Sequence, residues 1–455
     1  MSTTLVRPSR ISDRSPADRV ELGKHLRERT PRSAHAGAPE DHRRKDPLAI
    51  LRHSNQQRAT HLIALRYGRM AASPFDFLRG SAVVMAHDLA ETPTTGIHVQ
   101  LCGDAHIGNF GGYGTAERSL VFDLNDFDET HVGPGEWDIT RLVVSAVVLA
   151  RERGIKPNDR RRIACAAGEA YRQRMRKLSN APYLDIWLTP TFAETTIDTF
   201  AADPTPIERA FDDGQARTNR SALEQFAELV DGRLRFRHEP PLISRRVHRL
   251  RRELAAVLAA YRRSLTVDRR ALLDHYTLID AARKVVGLGS IGLGAYVLLL
   301  QGVAEDDPLL LQLKEARDSV LAPCLNASSP AHNGQRVVAG QRFMQAASDP
   351  FLGWTRFAGR DYYVRQLRDM KATIPLDDLD AAGLEAHAIL CAEVLARAHA
   401  CSGDAALIGG YLGRGSQFDH AIAAFAESYA DRIDADHHAL IEAIEKGSVR
   451  AVLED

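Results

Sequence analysis

Apolar residues recur at near-helical spacing along most of this chain, and one internal stretch switches to shorter apolar runs. From Pro47 to Met70, the positions Leu48, Leu51, Leu62, Leu65 and Met70 predict a helix, and a second is expected over about Phe75 to Leu89. Ile97 to Leu101 reads as a short strand that delivers Asp104 to a loop, with Leu120-Val121-Phe122 expected as its hairpin partner. Glu136 to Glu152 and Asp159 to Lys177 are predicted helices. Asp231 to Phe236 reads as a turn and strand, and Arg245 to Arg263 as a basic amphipathic helix with a solvated face.

Near residue 281 the character changes. Ala282 to Val286, Ala295 to Leu300 and Leu309 to Leu313 are short apolar runs, separated by glycines and by the acidic turn Glu305-Asp306-Asp307-Pro308. That order is strand, glycine loop, strand, turn, strand. Gly334 to Ala347 reads as a helix, Tyr362 to Leu367 as a strand, and Ala382 to Ala400 and Gln417 to Ala430 as helices. Residues 1 to about 46 are polar and rich in Arg, Pro and Ser. Ser15-Pro16-Ala17-Asp18 fits the start of a short helix, and the rest is expected to be a mobile arm.

Composition narrows the class. The 455 residues suit two or three units of ordinary domain size, or one two-lobed enzyme. Lys+Arg and Asp+Glu both number 59, which argues against a nucleic-acid partner. Five cysteines (Cys102, Cys165, Cys324, Cys391 and Cys401) form no CxxC pair, as expected of reduced thiols in a cytoplasm. The first residues lack the apolar segment of a secretory signal. The longest strongly apolar run, Leu142 to Ala150, is too short to span a bilayer, so no membrane partner is expected.

The chemistry concentrates in Cys102-Gly103-Asp104-Ala105-His106-Ile107-Gly108-Asn109 and in Asn125-Asp126-Phe127-Asp128. Asp104 precedes Asn109 by five residues, and Asp126 follows Asn109 by seventeen. Kinase-type phosphoryl transfer needs such a set: one carboxylate for a hydroxyl proton, then an amide and a second carboxylate for Mg²⁺. Taken alone, the same residues also fit an Asx-rich structural turn with loop carboxylates.

Gly287-Leu288-Gly289-Ser290-Ile291-Gly292 leads into a strand rather than a helix, unlike a dinucleotide-binding loop. Another strand follows and carries Lys314. A glycine-tipped hairpin followed by a strand Lys is how kinases hold ATP phosphates, which makes Gly287, Gly289, Ser290, Gly292 and Lys314 nucleotide-binding candidates. Arg365 and Arg368 could contact phosphate or substrate, but two arginines at this spacing are expected to solvate an edge. His399 and Cys401 read as a packing pair at a helix end, and Trp137 and Trp354 as core aromatics.

These residues carry a family resemblance. Gly103 to Asn109 resembles the catalytic loop of the aminoglycoside phosphotransferase and choline kinase group. Asp126 to Asp138 resembles that group's metal-binding segment. The resemblance implies Asp104 as catalytic base, Asn109 and Asp126 as Mg²⁺ ligands, and Asp138 as a structural anchor. It prefers Asp126 to Asp123 because of the twelve residues to Asp138.

Over nearly everything after the arm, the chain also resembles a bacterial family catalogued as domain of unknown function 2252. The matching stretches are Arg69 to Ala82, the Asp104 loop, Val286 to Gly292, Leu311 to Ala316, Gly334 to Trp354 and Tyr363 to Lys371.

Kinases place the glycine loop and Lys before the catalytic loop; here they follow it by about 180 residues. The expectation is therefore an α+β, two-lobed, circularly permuted kinase-like fold. Its large lobe would be residues 47–280 and 374–455, and its small lobe residues 281–373. The expected activity is ATP- and Mg²⁺-dependent phosphoryl transfer to a hydroxyl on an unidentified acceptor, with nucleotidyl transfer or a non-catalytic nucleotide-binding regulator as alternatives. No Glu follows Lys314 in the next helix, which leaves Gln335, Gln341 and Gln345 as its expected partners.

Overall fold

A computed structural model describes residues 14–38, 44–200, 202–230, 233–240, 242–245, 251–285, 287–304, 307–325, 330–367 and 370–452. The start of the arm, Asp231-Gly232, Val286, Glu305-Asp306 and Arg368 lie outside the described residues. Among the described residues there are seventeen α-helices and four sheets, an α+β composition. None of these helices is long and apolar enough to cross a membrane.

The largest sheet has six antiparallel strands. Their order across the sheet is Gly353–Phe357, Arg360–Gln366, Pro308–Ala316, Ala295–Gln301, Thr277–Lys284 and Ile243–Ser244. The central strand Pro308–Ala316 is buried at every position because it has a neighbour on each side and packing on each face. Side chains alternate between faces along a strand. Leu309, Leu311 and Leu313 therefore enter one apolar cluster with Tyr261, Leu298, Tyr362 and Val364. Leu310 enters another with Phe226, Phe236, Val297 and Leu299. Gln312 and Lys314 share the Leu310 face. Opposite them in the antiparallel register stand Arg365 and Tyr363. Four polar or amphipathic side chains are thus gathered at one end of that face.

The helical body is built on Gly135–Glu152, Pro157–Leu178, Ala381–Ser402 and Gln417–Glu445. The first of these is buried continuously from Trp137 to Ala150; it is apolar apart from Asp138, Thr140, Arg141 and Ser145, which are buried with it. Two small ladders join the body to the cleft. His98–Leu101 pairs with His131–Pro134, and Phe110–Gly114 pairs with Leu120–Leu124.

This corrects the expected pairing of residues 97–101 with Leu120-Val121-Phe122. The chain reverses through the Asp104 loop before Phe110, so the local turn at residues 115–119 closes a different hairpin.

Two predicted helices are broken. The first divides into Pro47–Asn55 and Thr60–Ala71, because the intervening residues dock elsewhere: the Ala59 amide donates to Gly292 O at 2.8 Å, and Arg58 donates to Ile291 O at 2.6 Å. The second divides into Pro74–Gly80 and Ala82–Ala90. Gly80 lies so close to Met70 that a Cβ would fall 2.4 Å from its Cγ.

The polar arm is not free where it is described. Pro16–Arg29 is a helix opened by a reciprocal Ser15–Asp18 capping box. It is docked by the Arg19–Asp404 ion pair at 3.0 Å and by Arg27 to Tyr411 O at 2.8 Å. The strand Gly353–Phe357 and the helix Ala405–Leu412 were not predicted.

Candidate active site

The loop after His98–Leu101 is fixed from beneath. Gly103 has φ +84°, and a Cβ there would stand 2.2 Å from Glu129 O, so no larger residue fits. Asp138, in the first turn of Gly135–Glu152, accepts the amides of Cys102 at 2.6 Å and Gly103 at 3.0 Å. His399 steadies that carboxylate at 3.3 Å and meets the Tyr171 hydroxyl at 2.8 Å through its other nitrogen. The expected His399–Cys401 packing pair is therefore corrected to a polar bridge. One and two turns further along the same helix face stand Arg141 and Ser145. Ser145 Oγ accepts the Ile107 amide at 2.8 Å, and His387 holds Ile107 O at 3.1 Å.

Arg141 bonds Asp104 Oδ1 at 2.6 Å and Leu78 O at 3.0 Å. The Asp104 carboxylate, 21% exposed, is thereby oriented by one oxygen. Asn109 spends its amide nitrogen on Asp104 O and Asp126 O, both at 3.0 Å, which leaves Oδ1 for another partner. His106 is buried beside Asp104. Burial outweighs the pull of that carboxylate and pushes its imidazole down to about 4.

Lys314 is buried behind these aspartates, its Nζ 2.5 Å from Asp128 Oδ2 and 3.2 Å from Asp126 Oδ2. Burial opposes the charge on this ammonium, but the two carboxylates raise its pKa above the usual lysine range. Burial would likewise raise Asp126, yet Lys314 and Arg365 hold it down at about 2. The Asp126 side chain remains 43% exposed to the cleft, so solvent screens part of this attraction.

The partners of Lys314 are these aspartates and none of the expected glutamines. Gln341 donates to Gln345 at 2.9 Å, and Gln345 to Leu124 O at 2.6 Å. Asp123 is turned away, bonded to Arg397 at 3.2 Å and to the amides of Leu124 and Ala346. Arg336 pins the Asp126–Thr130 segment from behind through Asp128 O at 2.8 Å and through Thr130 O.

The glycine loop reaches this point from above. Ser290 Oγ donates to Asp128 Oδ2 at 3.0 Å, while Asp128 Oδ1 is buried without a hydrogen-bond partner. Nothing lies within 4 Å of a Cβ added at Gly287 or Gly289. Gly292 is a correction. At φ +87° it packs on Arg58, with 2.9 Å left for a Cβ, and does not face the cleft.

A cavity of about 220 Å³ is lined by Asp104, Asn109, Asp126, Asp128, Gly287 and Ser290, among others. It adjoins a larger one of about 560 Å³. Asn125, Gly287, Arg365 and Lys371 line both. Arg365 is therefore not an edge residue. Arg141 and Lys371 were not among the residues predicted for the site, Asp128 stood in the predicted stretch without a role, and Arg365 was expected at an edge. Arg141 carried a local signal, three residues after Asp138 on one helix face.

Among the described residues, no three His, Cys, Asp or Glu side chains gather as a ready-made metal site. Asp126 and Asn109 Oδ1 are the available hard donors. Mg²⁺ is commonly held by one or two protein oxygens completed by phosphates and water, and this donor set fits that pattern.

No curated protein and no solved structure matches this chain. A family model described as an uncharacterized protein conserved in bacteria matches residues 58–443, and the chain accordingly belongs to that family, DUF2252.

Proposed function

We propose that this protein is an ATP- and Mg²⁺-dependent phosphotransferase acting on a hydroxyl, built on a circularly permuted kinase-like fold. One observation carries the reading. Lys314, itself buried, sits 3.2 Å from Asp126, 188 positions away in the chain, and Asp126 lines one cleft with Asp104. A kinase needs these three groups together, and chain order alone sets them far apart.

In this reading, Asp126 and Asn109 Oδ1 hold Mg²⁺, which supplies charge neutralisation on the phosphates. Lys314 neutralises the same phosphates from the sheet. Asp104, with Oδ1 held by Arg141, offers its second oxygen to the acceptor hydroxyl. The hydroxyl oxygen bonds to the γ-phosphorus, its proton passes to Asp104, and ADP leaves with the electrons of the broken P–O bond. Positioning and electrostatics supply most of the acceleration.

The test uses γ- and α-labelled ATP in separate incubations with a broad acceptor set. Transfer of γ-label alone supports phosphoryl transfer; transfer of α-label replaces it with nucleotidyl transfer. Asp104→Asn should keep ATP affinity and lose turnover by roughly a hundredfold or more, the scale of a positioned base. Unchanged transfer in that variant removes Asp104 from the mechanism.

One observation favours a second reading, a nucleotide-binding regulator. The counter-charges of Lys314 are the proposed phosphate-and-metal carboxylates themselves, with no separate acidic partner from the helix Asn333–Met344. ATP bound by wild type without transfer of either label would select it.

A further inference from the structure

The two adjoining cavities share a stretch of lining, their waist, and two of its four residues are cationic. Arg365 and Lys371 both line the smaller cavity beside Asp126 and the larger one beyond it. Arg365 is held there by its neighbours. Cross-strand pairing sets it opposite Gln312, and its Nε donates to Gln312 Oε1 at 3.0 Å. One terminal nitrogen donates to Asn125 O at 3.2 Å, and the guanidinium carbon lies 6.0 Å from the Tyr363 ring centre. Lys314 Nζ lies 5.8 Å from the same ring. A guanidinium anchored through one edge keeps the rest of its fork for a ligand.

Asp126, whose carboxylate Arg365 helps hold down, is in ion-pair contact with Lys314. An elongated polyanion occupying both cavities meets Arg365, Lys371 and Gly287, which line both, and an added Cβ at Gly287 would meet nothing, which leaves room for oxyanions.

We infer that Arg365 is a phosphate-contacting residue of an oxyanion subsite at this waist. The ligand's diphosphate lies across the waist, its organic moiety fills the 560 Å³ cavity, and its terminal phosphate reaches the 220 Å³ cavity. The inference deepens the phosphotransferase reading and rests on it for the identity of the ligand, but not for the presence of the subsite. It also sets the minimum ligand: a nucleoside or a monophosphate stops short of the waist, and a diphosphate spans it. Arg365 then contributes to binding in substrate and product complexes alike, and its loss raises KM more than it lowers kcat.

The experiment measures calorimetric affinities of the full chain for adenosine, AMP, ADP and tripolyphosphate, each with Mg²⁺. Wild type, Arg365→Gln, Arg365→Lys and Gln312→Leu are compared, with thermal melts to establish that each is folded. The expected result is a large gain in affinity from AMP to ADP in wild type. Arg365→Gln should weaken ADP and tripolyphosphate about 10- to 100-fold, the scale of a charge-assisted contact, and leave adenosine unchanged. Arg365→Lys should recover part of the loss, since it keeps charge without the fork. Gln312→Leu should lose less than Arg365→Gln, because it only releases the anchor.

A folded Arg365→Gln protein with wild-type ADP affinity overturns the subsite. If that variant does not fold, a folded Gln312→Leu protein with unchanged affinities overturns it. Wild type that does not distinguish ADP from adenosine also overturns it. Arg365-dependent binding of tripolyphosphate without transfer of label from ATP would keep the subsite and sink the phosphotransferase reading.

Discussion

The loop bearing Asp104 and the loop bearing Gly287 line one cleft, and they are held in opposite ways. Side chains from three helices tie the first: Asp138, Arg141 and Ser145 from one, His387 from the second, and Tyr171 acting through His399 from the third. The second loop has open space at Gly287 and Gly289. Its side-chain tie to the Asp126–Thr130 segment is Ser290 to Asp128. The proposed phosphotransferase reading would use this asymmetry. In it, the Asp104 carboxylate is oriented before an acceptor arrives, whereas the glycine loop admits and releases a nucleotide. Rigidity costs little where nothing moves, and on the glycine side it would slow exchange.

The largest expected effect is on the fixed side, through pH. Burial holds His106 and His387 neutral, each at about 4. Both belong to the Asp104 loop or bond it directly, and neither touches the glycine loop. An unfolded histidine titrates near 6.5, so between about 6.5 and 4 the unfolded chain binds more protons than the folded one, and stability falls as pH falls. The loss from pH 7 to 5 should be on the order of 2 kcal/mol for each histidine. Denaturant midpoints across that range measure it. In His387→Gln, which keeps a donor for Ile107 O, about 2 kcal/mol of the loss between pH 7 and 5 should disappear, because the other histidines lowered by burial, His35, His87, His131 and His332, are common to both proteins. Carboxylates raised by burial, such as Asp123 and Glu129, act in the opposite sense and are common to both proteins. Equal slopes in the two would mean that His387 does not report on this loop.

Next is a pair of glycine substitutions, one on each side. Gly103→Ala forces a left-handed residue against Glu129 O and should cost about 3 kcal/mol, the sum of backbone strain and overpacking. Gly289→Ala has room and no positive φ, and should change stability by less than about 0.5 kcal/mol. Urea midpoints read both. Similar losses at the two positions would dissolve the contrast.

What could be read beforehand follows the same division. Asp104, Asn109, Asp126 and Asp138 lie within one 35-residue stretch, where local spacing carries the chemistry. Lys314 was legible from strand alternation once a glycine hairpin was recognised. Arg365 was not, because its direction depends on the pairing of Pro308–Ala316 with Arg360–Gln366, across an intervening helix. Asp128 looked like a loop carboxylate because the partners that give it meaning, Lys314 and Ser290, are at least 162 positions away. The first helix break had the same origin. Leu51 and Leu62 stand eleven residues apart, close to three helical turns, so the pattern bridges the polar residues 56–59, and the docking of Arg58 and Ala59 on Gly292 lies outside what local spacing shows.

The smallest effect probes the tie between the two sides. Ser290→Ala removes one hydrogen bond to Asp128 Oδ2, an oxygen that Lys314 also contacts at 2.5 Å. The carboxylate keeps a strong partner, so the cost to global stability should be about 1 kcal/mol or less. The local consequence should be larger than the global one. The loop loses its link to the Asp126–Thr130 segment, whereas the Ala59–Gly292 bond at its far end persists. Hydrogen exchange should therefore quicken at residues 287–291 and stay unchanged across 102–109, where none of the ties involves Ser290. Equal quickening on both sides would mean that the two loops open together and that the Asp104 loop is not independently fixed. No change on either side would mean that the Ser290–Asp128 bond does not restrain the glycine loop.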